Sequence, residues 1–442
     1  MEKCSRSGKN RCSRSNKNHC SRSARISVHD GQEYPANRNY CIRALILAAF
    51  SEGNTVTHNF IYCGDTQATL EALVQLGIKI ETFPNKVVVH GNGRQCQPNT
   101  SLININESAT LARILMALLC TLKISKIRLN GSHRMHERPM EPLIAALIAL
   151  GADIHCIKSN GFLPVLISGK ELSGGLIKLD SSLSSQYCTA LIIAGCFTQS
   201  AIHITQENRD FPHKDFIIMT LSTVKHFGGC VLYDDELENI IIKPSPLKAK
   251  NFSTEGDLSF FGWIVAAACM TKHVVKILDF PKNSLQPDMK IIPIYEQLGV
   301  AFIQTQNDIL IQPPLICRGG FEINCQNISD QTLNLAAISA IASAPLTLSH
   351  IHHIKYQESD RILAIQLEYQ KLGIPVKAGD DYLTIYPADF QGGVVSDHND
   401  HRVGLSLLLL FLRNKHVLLS DNSSIKKSCP DYLKYIQMFN AT

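Results

Sequence analysis

The 442-residue sequence contains no apolar run long enough to cross a membrane. Its most apolar stretch, residues 403–412, lies between Arg402 and Arg413 and is far shorter than the roughly 20 residues that a membrane-spanning helix needs. We therefore expect a buried core helix there and no membrane partner. The sequence also lacks a hydrophobic signal segment, so the expected location is the cytoplasm.

Paired-cysteine motifs are missing as well. The 15 cysteines are odd in number, scattered along the chain and never spaced as CxxC. In a chain of this length that pattern is typical of free thiols in a reducing compartment, not of a disulfide scaffold or a zinc site. The adjacent His352 and His353 do not suggest a metal either, because neighbouring side chains on a strand point to opposite faces. We expect no metal and no cofactor.

The excess of positive charge is confined to the beginning of the chain. The net charge is +5, but residues 1–25 contain eight lysines and arginines and one acid, so the rest of the chain carries −2. A nearly neutral body gives no reason to expect a nucleic acid as partner. Residues 1–25 repeat CSRS three times and lack the apolar side chains needed for packing, which predicts a disordered basic tail.

A long internal repeat organises the remaining sequence. Five helical stretches end in an apolar residue and a glycine, and each is followed by a short β-prone run. Glycine directly after a helix is a common helix stop, and alternating apolar residues after it predict a strand. Between these stretches recur helices that are apolar on nearly all sides and are therefore expected to be buried. Their predicted bounds are 39–50, 108–122, 185–197, 257–270, 330–343 and 400–412.

These periods predict an α/β fold of six units of roughly 70 residues, each with two helices and several strands. Six units divide most simply into two domains of three, with a boundary near residues 244–251. Every buried helix begins with a polar or charged cluster, and helix N-termini favour anionic ligands. The pattern therefore predicts a two-domain enzyme with a doubly anionic substrate. The cations expected near it are Arg43, Arg138, Arg361, Arg402 and Lys427.

Several short motifs resemble those of one known family. QESDR (357–361), NDHR (399–402) and KSCPDY (427–432) are similar to the K-E-[ST]-D-R, D-H-R and K-[ST]-F-P-x-[FY] motifs of the 3-phosphoshikimate 1-carboxyvinyltransferase (EPSP synthase) family. Upstream, ESATLAR, ERP, SLSSQY and EGD match further motifs in the family's order. The chain is identified as a divergent member over about residues 26–442.

The resemblance implies two domains shaped as inside-out barrels, each built from three βαβαββ repeats, with the active site in the cleft between them. It assigns residues 37–250 to the first domain and residues 26–36 with 251–442 to the second. It implies a monomeric transferase that moves the carboxyvinyl group of phosphoenolpyruvate to the hydroxyl of shikimate 3-phosphate and releases phosphate. That reaction belongs to chorismate and aromatic amino acid biosynthesis.

The resemblance also implies roles for single residues. Asp330 is the expected base and Glu358 the expected proton donor, while Arg38 stands where the family has a lysine that touches both substrates. The residues expected to hold phosphoenolpyruvate are Arg138, Arg361, Arg402 and Lys427, with Gln186 between the two substrates. The other residues expected to bind substrate or line the site are Asn39, Arg43, Ala109, Ser184, Ser185, His353 and Gln357.

Departures from the family motifs cluster on the acceptor side of the expected site. Arg38 and Gln357 replace lysines, and His353 replaces an asparagine. In the segment HKDFII, Phe216 and Ile218 replace a tyrosine and an aspartate. Most of these positions contact the shikimate phosphate in the family, whereas the positions for phosphoenolpyruvate are largely retained.

Three functions therefore stay open at this point. They are an active EPSP synthase with compensating substitutions, an enolpyruvyl transferase paralogue with a different acceptor, and a non-catalytic remnant of the family. The sister UDP-N-acetylglucosamine enolpyruvyltransferases have Lys-Asn where this chain has Arg38-Asn39. They lack the E-S-D-R and D-H-R runs, so we rank them below the other three.

Ala109 stands where the family motif has glycine, beside the expected phosphoenolpyruvate site. Glycine allows a ligand to approach the backbone closely, and an added methyl group narrows that space. In this family the inhibitor glyphosate occupies the same site but is the longer molecule. The sequence therefore predicts a glyphosate-tolerant enzyme.

Overall fold

The computed structural model describes residues 26–28 and 34–440, so the predicted basic tail, 1–25, lies outside the described residues. The chain is α/β, as predicted. The strands are β1 (Ile26–Val28), β2 (Glu52–His58), β3 (Lys79–Phe83), β4 (Lys86–Asn92), β5 (Leu102–Asn104), β6 (Ile127–Asn130), β7 (Asp153–Cys156), β8 (Val165–Ser168), β9 (Gly175–Leu179), β10 (Ile202–Gln206), β11 (Cys230–Tyr233), β12 (Asn239–Lys243), β13 (Phe252–Ser253), β14 (Val275–Ile277), β15 (Ala301–Gln304), β16 (Ile309–Gln312), β17 (Phe321–Asn324), β18 (Leu346–Ser349), β19 (Val376–Ala378), β20 (Tyr382–Ile385), β21 (Gly393–Val395) and β22 (Val417–Leu419).

Two families of helices alternate along the chain, together with short 3-10 turns. The helices are α1 (Arg38–Ala49), α2 (Gly64–Gln75), α3 (Ala109–Thr121), α4 (Glu141–Ala149), α5 (Gln186–Gly195), α6 (Lys214–His226), α7 (Leu258–Thr271), α8 (Ile291–Gln297), α9 (Thr332–Ser339), α10 (Arg361–Lys371), α11 (His401–Arg413) and α12 (Tyr432–Asn440). The 3-10 turns are Arg134–His136, Pro287–Lys290, Ser329–Gln331, His352–Tyr356 and Ser423–Lys427.

Five sheets share one arrangement of four strands. In each, the first two strands are parallel, and the third and fourth extend the sheet in antiparallel fashion. The strand orders are β13-β2-β4-β3, β5-β6-β8-β7, β9-β10-β12-β11, β1-β14-β16-β15 and β17-β18-β20-β19. In the described residues, a sixth sheet consists of the parallel pair β21 and β22 alone.

Two of these sheets contain a strand from a distant part of the chain. Strand β1 pairs in parallel with β14, so that Ile26 lies opposite Val275. Strand β13 pairs with the end of β2, so that Phe252 lies opposite Thr57. The chain therefore connects its two halves at two places, before α1 and after β13.

The predicted helix–glycine–strand junctions are confirmed. Helices α2, α4, α6, α8 and α10 each end two residues before the predicted glycine, and a strand follows. All five glycines have φ between +77° and +99°, a region that side chains with a Cβ rarely adopt. These glycines are Gly77, Gly151, Gly228, Gly299 and Gly373.

The other helix family lies at the centre of two separate clusters of buried apolar side chains. The first cluster surrounds α1, α3 and α5, and the second surrounds α7, α9 and α11. Most predicted bounds agree within about two residues, but α9 begins after a 3-10 turn that contains Asp330 and ends at Ser339, before the predicted 343. The apolar run 403–412 lies in the buried helix α11. No helix in the described part of the chain has the length and apolar character of a membrane span.

The two clusters predict separable unfolding of the two halves. Trp263 is the only tryptophan in the sequence and is buried in the second cluster, so its fluorescence reports on that cluster. Removing a buried leucine side chain costs about 2–5 kcal/mol of the free energy of unfolding. Leu409→Ala in α11 should therefore lower the urea midpoint measured by fluorescence. The matched variant Leu115→Ala in α3 should lower the midpoint measured by circular dichroism and leave the fluorescence midpoint nearly unchanged. Equal shifts of both signals in both variants would contradict separate unfolding.

Candidate active site

The starts of five buried helices meet at one cavity, which is lined from both halves of the molecule. Side-chain caps fix the starts of two of these helices and of the neighbouring helix α10: Asn37, Asp400 and Asp360 accept backbone hydrogen bonds at the starts of α1, α11 and α10. Each cap lies one or two residues before an arginine of the cavity. The helix-start residues that line the cavity are Arg38, Ala109, Gln186, Asp330 and Arg402. Asp257, the cap of the sixth buried helix, lines an adjoining pocket with Arg38, Asp330 and Arg402.

A buried ion pair forms the floor of this site. Arg361 Nε donates to Asp400 Oδ2 over 2.8 Å, and Arg361 Nη2 donates to Asp400 Oδ1 over 3.2 Å. The two residues are 1% and 0% exposed. The same guanidinium also reaches Glu358, with Nη2 3.1 Å from Oε2, and Nη1 lies 3.7 Å from Asp330 Oδ1. One arginine thus holds three carboxylates in a fixed relation.

Glu358 is surrounded by cations. Lys427 Nζ lies 3.1 Å and Arg138 Nη1 3.7 Å from Glu358 Oε1, and Arg361 contacts the other carboxylate oxygen. Burial alone raises the pKa of Glu358, but these three cations outweigh it and hold the pKa well below its usual range. The carboxyl group is therefore ionised at neutral pH when no substrate is bound.

Asp330 has a comparable environment. Its Oδ2 accepts a hydrogen bond from Arg402 Nη2 at 2.5 Å. Burial raises the pKa of Asp330, but Arg402 and Arg361 outweigh that effect, and the pKa is below its usual range. Asp330 is thus an ionised carboxylate at the boundary between the two halves, and it can accept a proton from a hydroxyl group placed beside it.

Arg38 has two protein partners and one free group. Its Nε lies 3.4 Å from Asp65 Oδ2, and its Nη2 lies 3.2 Å from His401 Nε2. Burial and the neighbouring Arg38 hold the pKa of His401 well below its usual range, so the ring is neutral and Nε2 accepts this hydrogen bond. Arg38 Nη1 is buried and has no hydrogen-bond partner. A buried donor without a partner is costly, and an anionic ligand in the cavity would satisfy it.

The wall contributed by the first half contains a polar network around Arg113. Arg113 Nη1 donates to Ser184 Oγ over 3.1 Å and to Gln186 Oε1 over 2.6 Å, and Nη2 donates to the Pro139 carbonyl over 3.2 Å. Gln186 Nε2 in turn donates to Thr110 Oγ1 over 3.0 Å. Burial lowers the pKa of Arg113 to about 10, so it remains charged at neutral pH. Arg113 therefore positions Ser184 and Gln186.

Arg43 lies deeper in the same wall. It is 1% exposed, and its three nitrogens donate to Thr220 Oγ1, the Asn39 carbonyl and the Phe216 carbonyl. Burial lowers its pKa to about 10, which still leaves the guanidinium protonated. Because no carboxylate pairs with it within the described residues, its charge is available to an anion in the cavity.

The sequence assigns one side of the cavity to the acceptor, and that side contains uncharged and aromatic groups. Gln357 accepts a hydrogen bond from Arg361 Nη1 through its Oε1. His213 and His353 pack ring against ring, with centroids 5.0 Å apart. The expectation that His352 and His353 lie on a strand is wrong, because both belong to the 3-10 turn His352–Tyr356. His352 pairs with Asp380 outside the cavity, whereas His353 lines it.

The structure brings the predicted site residues together. Lys427 lines an adjoining pocket that shares Glu107, Arg138 and Glu358 with the cavity. The predicted residues that line the cavity itself are Arg38, Asn39, Arg43, Ala109, Arg138, Ser184, Ser185, Gln186, Asp330, His353, Gln357, Glu358, Arg361 and Arg402.

Sequence reasoning missed several residues of the cavity. Arg113 lies within the motif ESATLAR, and its position four residues after Ala109 places both on one face of α3, a signal that could have identified it. Asp65 is the second residue of α2, and acidic residues are common in the first turn of a helix because they stabilise its dipole. Its position therefore gave no sign of a role in the site. His213 is the first residue of the segment HKDFII, and the resemblance of that segment to a family motif on the acceptor side is a signal that could have identified it. The missed residues are Asp65, Glu107, Thr110, Arg113, Pro139, Leu183, His213 and Tyr356.

Two α/β halves enclosing a cavity lined by arginines and two ionised carboxylates define an enzyme for small, multiply anionic substrates. A sequence model of EPSP synthase (3-phosphoshikimate 1-carboxyvinyltransferase) matches residues 33–436. The chain belongs to the EPSP synthase family.

Relatives and a solved structure agree with this assignment. The chain is 32% identical to 3-phosphoshikimate 1-carboxyvinyltransferase 2 of Halalkalibacterium halodurans, over 91% of this chain and 90% of that protein. It is 30% identical to 3-phosphoshikimate 1-carboxyvinyltransferase of Methanospirillum hungatei, over 90% and 93%. The structure of EPSP synthase from Acinetobacter baumannii has a TM-score of 0.77 at 22% identity and covers 94% of this chain and 95% of that chain, which supports the fold.

Proposed function

We propose that this protein transfers the carboxyvinyl group of phosphoenolpyruvate to a hydroxyl of shikimate 3-phosphate and releases phosphate. The observation that carries this proposal is the presence of two ionised carboxylates in one cavity: Arg361 contacts both, Arg402 pairs with Asp330, and Lys427 pairs with Glu358. The chemistry requires a base for the hydroxyl, an acid for the methylene carbon, and cations for the phosphate and carboxylate groups. Family membership supports this substrate pair.

The proposed site for phosphoenolpyruvate lies around Glu358. Arg138, Arg361, Arg402 and Lys427 supply four cations there, and arginine's planar fork matches phosphate and carboxylate oxygens. In the empty cavity these cations are partly neutralised by Glu358 and Asp330. An incoming trianionic ligand would compete for them, so binding weakens the hold of the cations on Glu358.

This competition explains how Glu358 becomes an acid. Its pKa is low because Lys427, Arg138 and Arg361 stabilise the charged form. When those cations bind the ligand instead, they no longer stabilise the charged form of Glu358. Burial still disfavours the carboxylate, so the pKa of Glu358 rises and the group takes up a proton. The proton on Glu358 then moves to the methylene carbon of phosphoenolpyruvate. Asp330 takes the proton of the acceptor hydroxyl as its oxygen adds to the adjacent carbon. The phosphate then leaves with that proton, and the new methyl group returns a proton to the Glu358 carboxylate, which restores the double bond.

For the architecture, we propose two inside-out barrel domains of three βαβαββ repeats each, residues 37–250 and residues 26–36 with 251–442. Two separate apolar clusters and five sheets of identical strand arrangement support this division. The pairing of β1 with β14 supports the assignment of residues 26–36 to the second domain. Strand β13 pairs with β2 of the first half, which favours a boundary a few residues later than 250, after Ser253. The proposed enzyme is a cytoplasmic monomer.

A second candidate function follows from the acceptor side of the cavity. Gln357, His353 and Phe216 supply neither a permanent charge nor a hydroxyl, and they stand where the family has lysine, asparagine and tyrosine. This observation favours an enolpyruvyl transferase whose acceptor differs from shikimate 3-phosphate. Phosphate release from phosphoenolpyruvate, measured with and without shikimate 3-phosphate, separates the two functions.

Asp330→Asn tests the base. The amide cannot accept the hydroxyl proton, so turnover should fall about 10²–10⁴-fold, while circular dichroism stays unchanged. Glu358→Gln should cause a comparable loss because it removes the acid. As a control, Asp308→Asn changes a carboxylate that pairs with Lys276 outside the cavity and should leave turnover as it is. An Asp330→Asn enzyme with parental turnover would refute the assignment.

Arg38→Lys tests whether this position needs charge or arginine geometry. Arginine stays protonated at ordinary pH, so Arg38 binds oxyanions but does not relay a proton. A lysine keeps the charge beside Asp65, and Arg38→Lys should retain or raise turnover with shikimate 3-phosphate. Arg38→Ala should abolish substrate binding, measured by calorimetry. If Arg38→Lys were as inactive as Arg38→Ala, the site would be adapted to a different acceptor.

Ala109→Gly tests the predicted glyphosate tolerance. Ala109 is the first residue of α3 and lines the cavity, so its methyl group occupies space that a glycine would leave to a ligand. Since overpacking costs roughly 1–3 kcal/mol, Ala109→Gly should lower the inhibition constant for glyphosate by about one to two decades. Ala117→Gly, on a fully buried turn of the same helix, is the matched control and should leave that constant unchanged. An unchanged inhibition constant in Ala109→Gly would contradict the prediction.

A further inference from the structure

The acceptor side of the cavity contains a pair of histidines whose protons the proposed reaction does not use. His213 precedes α6 and His353 belongs to the turn His352–Tyr356, so the two rings come from different halves of the molecule. Their centroids are 5.0 Å apart and their planes cross at 85°. Both line the cavity together with Ser184 and Ser185. His213 has φ +65°, an uncommon backbone conformation for a residue with a side chain.

The hydrogen bonds of the pair are incomplete. His213 Nε2 lies 3.0 Å from Ser329 Oγ. His353 Nε2 is buried and has no hydrogen-bond partner, and the residue as a whole is only 8% exposed. A buried polar atom without a partner is costly in a folded protein. In a cavity lined by serine hydroxyls, this atom marks a position for a polar group of a ligand.

The charged groups around the pair favour neutral rings in the empty cavity. Burial lowers the pKa of His213, Arg361 and Arg402 lower it further, and Asp330 and Asp215 act in the opposite direction. Burial also lowers the pKa of His353, to about 2, with contributions from His213, Arg361 and His352. The amide of Gln357 adds no charge. Without ligand, the two rings are therefore neutral, and the pair itself offers hydrogen bonds but no positive charge.

We infer that the histidine pair binds the phosphoryl group of the acceptor and takes up one proton from solvent when that group binds as a dianion. A dianion beside the rings stabilises the protonated form of either one. Two protonated rings 5.0 Å apart would repel each other, so the pair holds a single proton. This inference rests on the proposed function and names the recognition element of its acceptor.

Proton uptake sets the sign of the pH dependence. The second pKa of a phosphate monoester is about 6, so above pH 6.5 the phosphate of the acceptor is mostly a dianion. Ionisation of the acceptor therefore contributes little to the change of affinity with pH in this range. Binding that requires one proton then weakens by up to about tenfold for each unit of rising pH. A lysine ammonium would give no such slope, because it stays protonated throughout this range.

The test is calorimetry of shikimate 3-phosphate binding between pH 6.5 and 8.5, without phosphoenolpyruvate. Measurements in two buffers of different ionisation enthalpy count the protons. The parental protein should take up nearly one proton and lose affinity as the pH rises. His213→Ser with His353→Asn should abolish the uptake. His155→Gln, which changes an exposed histidine of β7, is the matched control and should keep it. Adding Gln357→Lys to the double variant should restore binding with a flat pH profile.

The number of protons taken up by the parental protein tests the inference even if the double variant fails to fold, because that measurement needs no variant. Binding that is independent of pH, with no proton taken up, would overturn the inference and leave the proposed function intact. Undiminished uptake in the folded double variant would show that another group takes up the proton and would also overturn it. Failure of shikimate 3-phosphate to bind at any pH would instead count against the proposed function.

Discussion

The buried ion pair between Arg361 and Asp400 is the contact on which the rest of the site depends. Breaking one partner of such a pair typically costs about 3–5 kcal/mol, because the other charge is left buried without compensation. Asp400 also caps α11 and thereby places Arg402, while Arg361 reaches Glu358 and Asp330. The buried guanidinium of Arg361 therefore helps to position both reactive carboxylates, Glu358 and Asp330.

Much of the architecture could be predicted from local patterns. Gly77 and its four counterparts end their helices because the required φ is positive, and that constraint is readable from sequence alone. The convergence of helix starts was also predictable, since each buried helix begins with a polar cluster. Local patterns failed where tertiary contacts decide. The sequence predicts a helix that begins at Asp330, but Asp330 lies in a 3-10 turn, where Arg402 and Arg361 hold it.

The pairing between distant side chains was beyond sequence reasoning. The contact of Arg38 with Asp65 joins the starts of two helices, and nothing in either segment specifies the other. The same is true of His213 and His353, which come from different halves of the molecule. The motifs indicated many of the residues that line the cavity, whereas burial and packing determined which charges neutralise one another. The two sides of the cavity consequently differ in kind: permanent cations surround Glu358, and the opposite side relies on groups that change their protonation.

The pairing of β1 with β14 has a consequence for biosynthesis. These strands are separated by about 250 residues, so β1 leaves the ribosome long before its partner exists. At the usual rate of about 5–20 residues per second, it waits on the order of 10–50 s. During that interval the first apolar cluster has all of its helices available. The order of synthesis thus lets β1 pair only after the helices of the first cluster have been made, although β1 precedes all of them in the sequence.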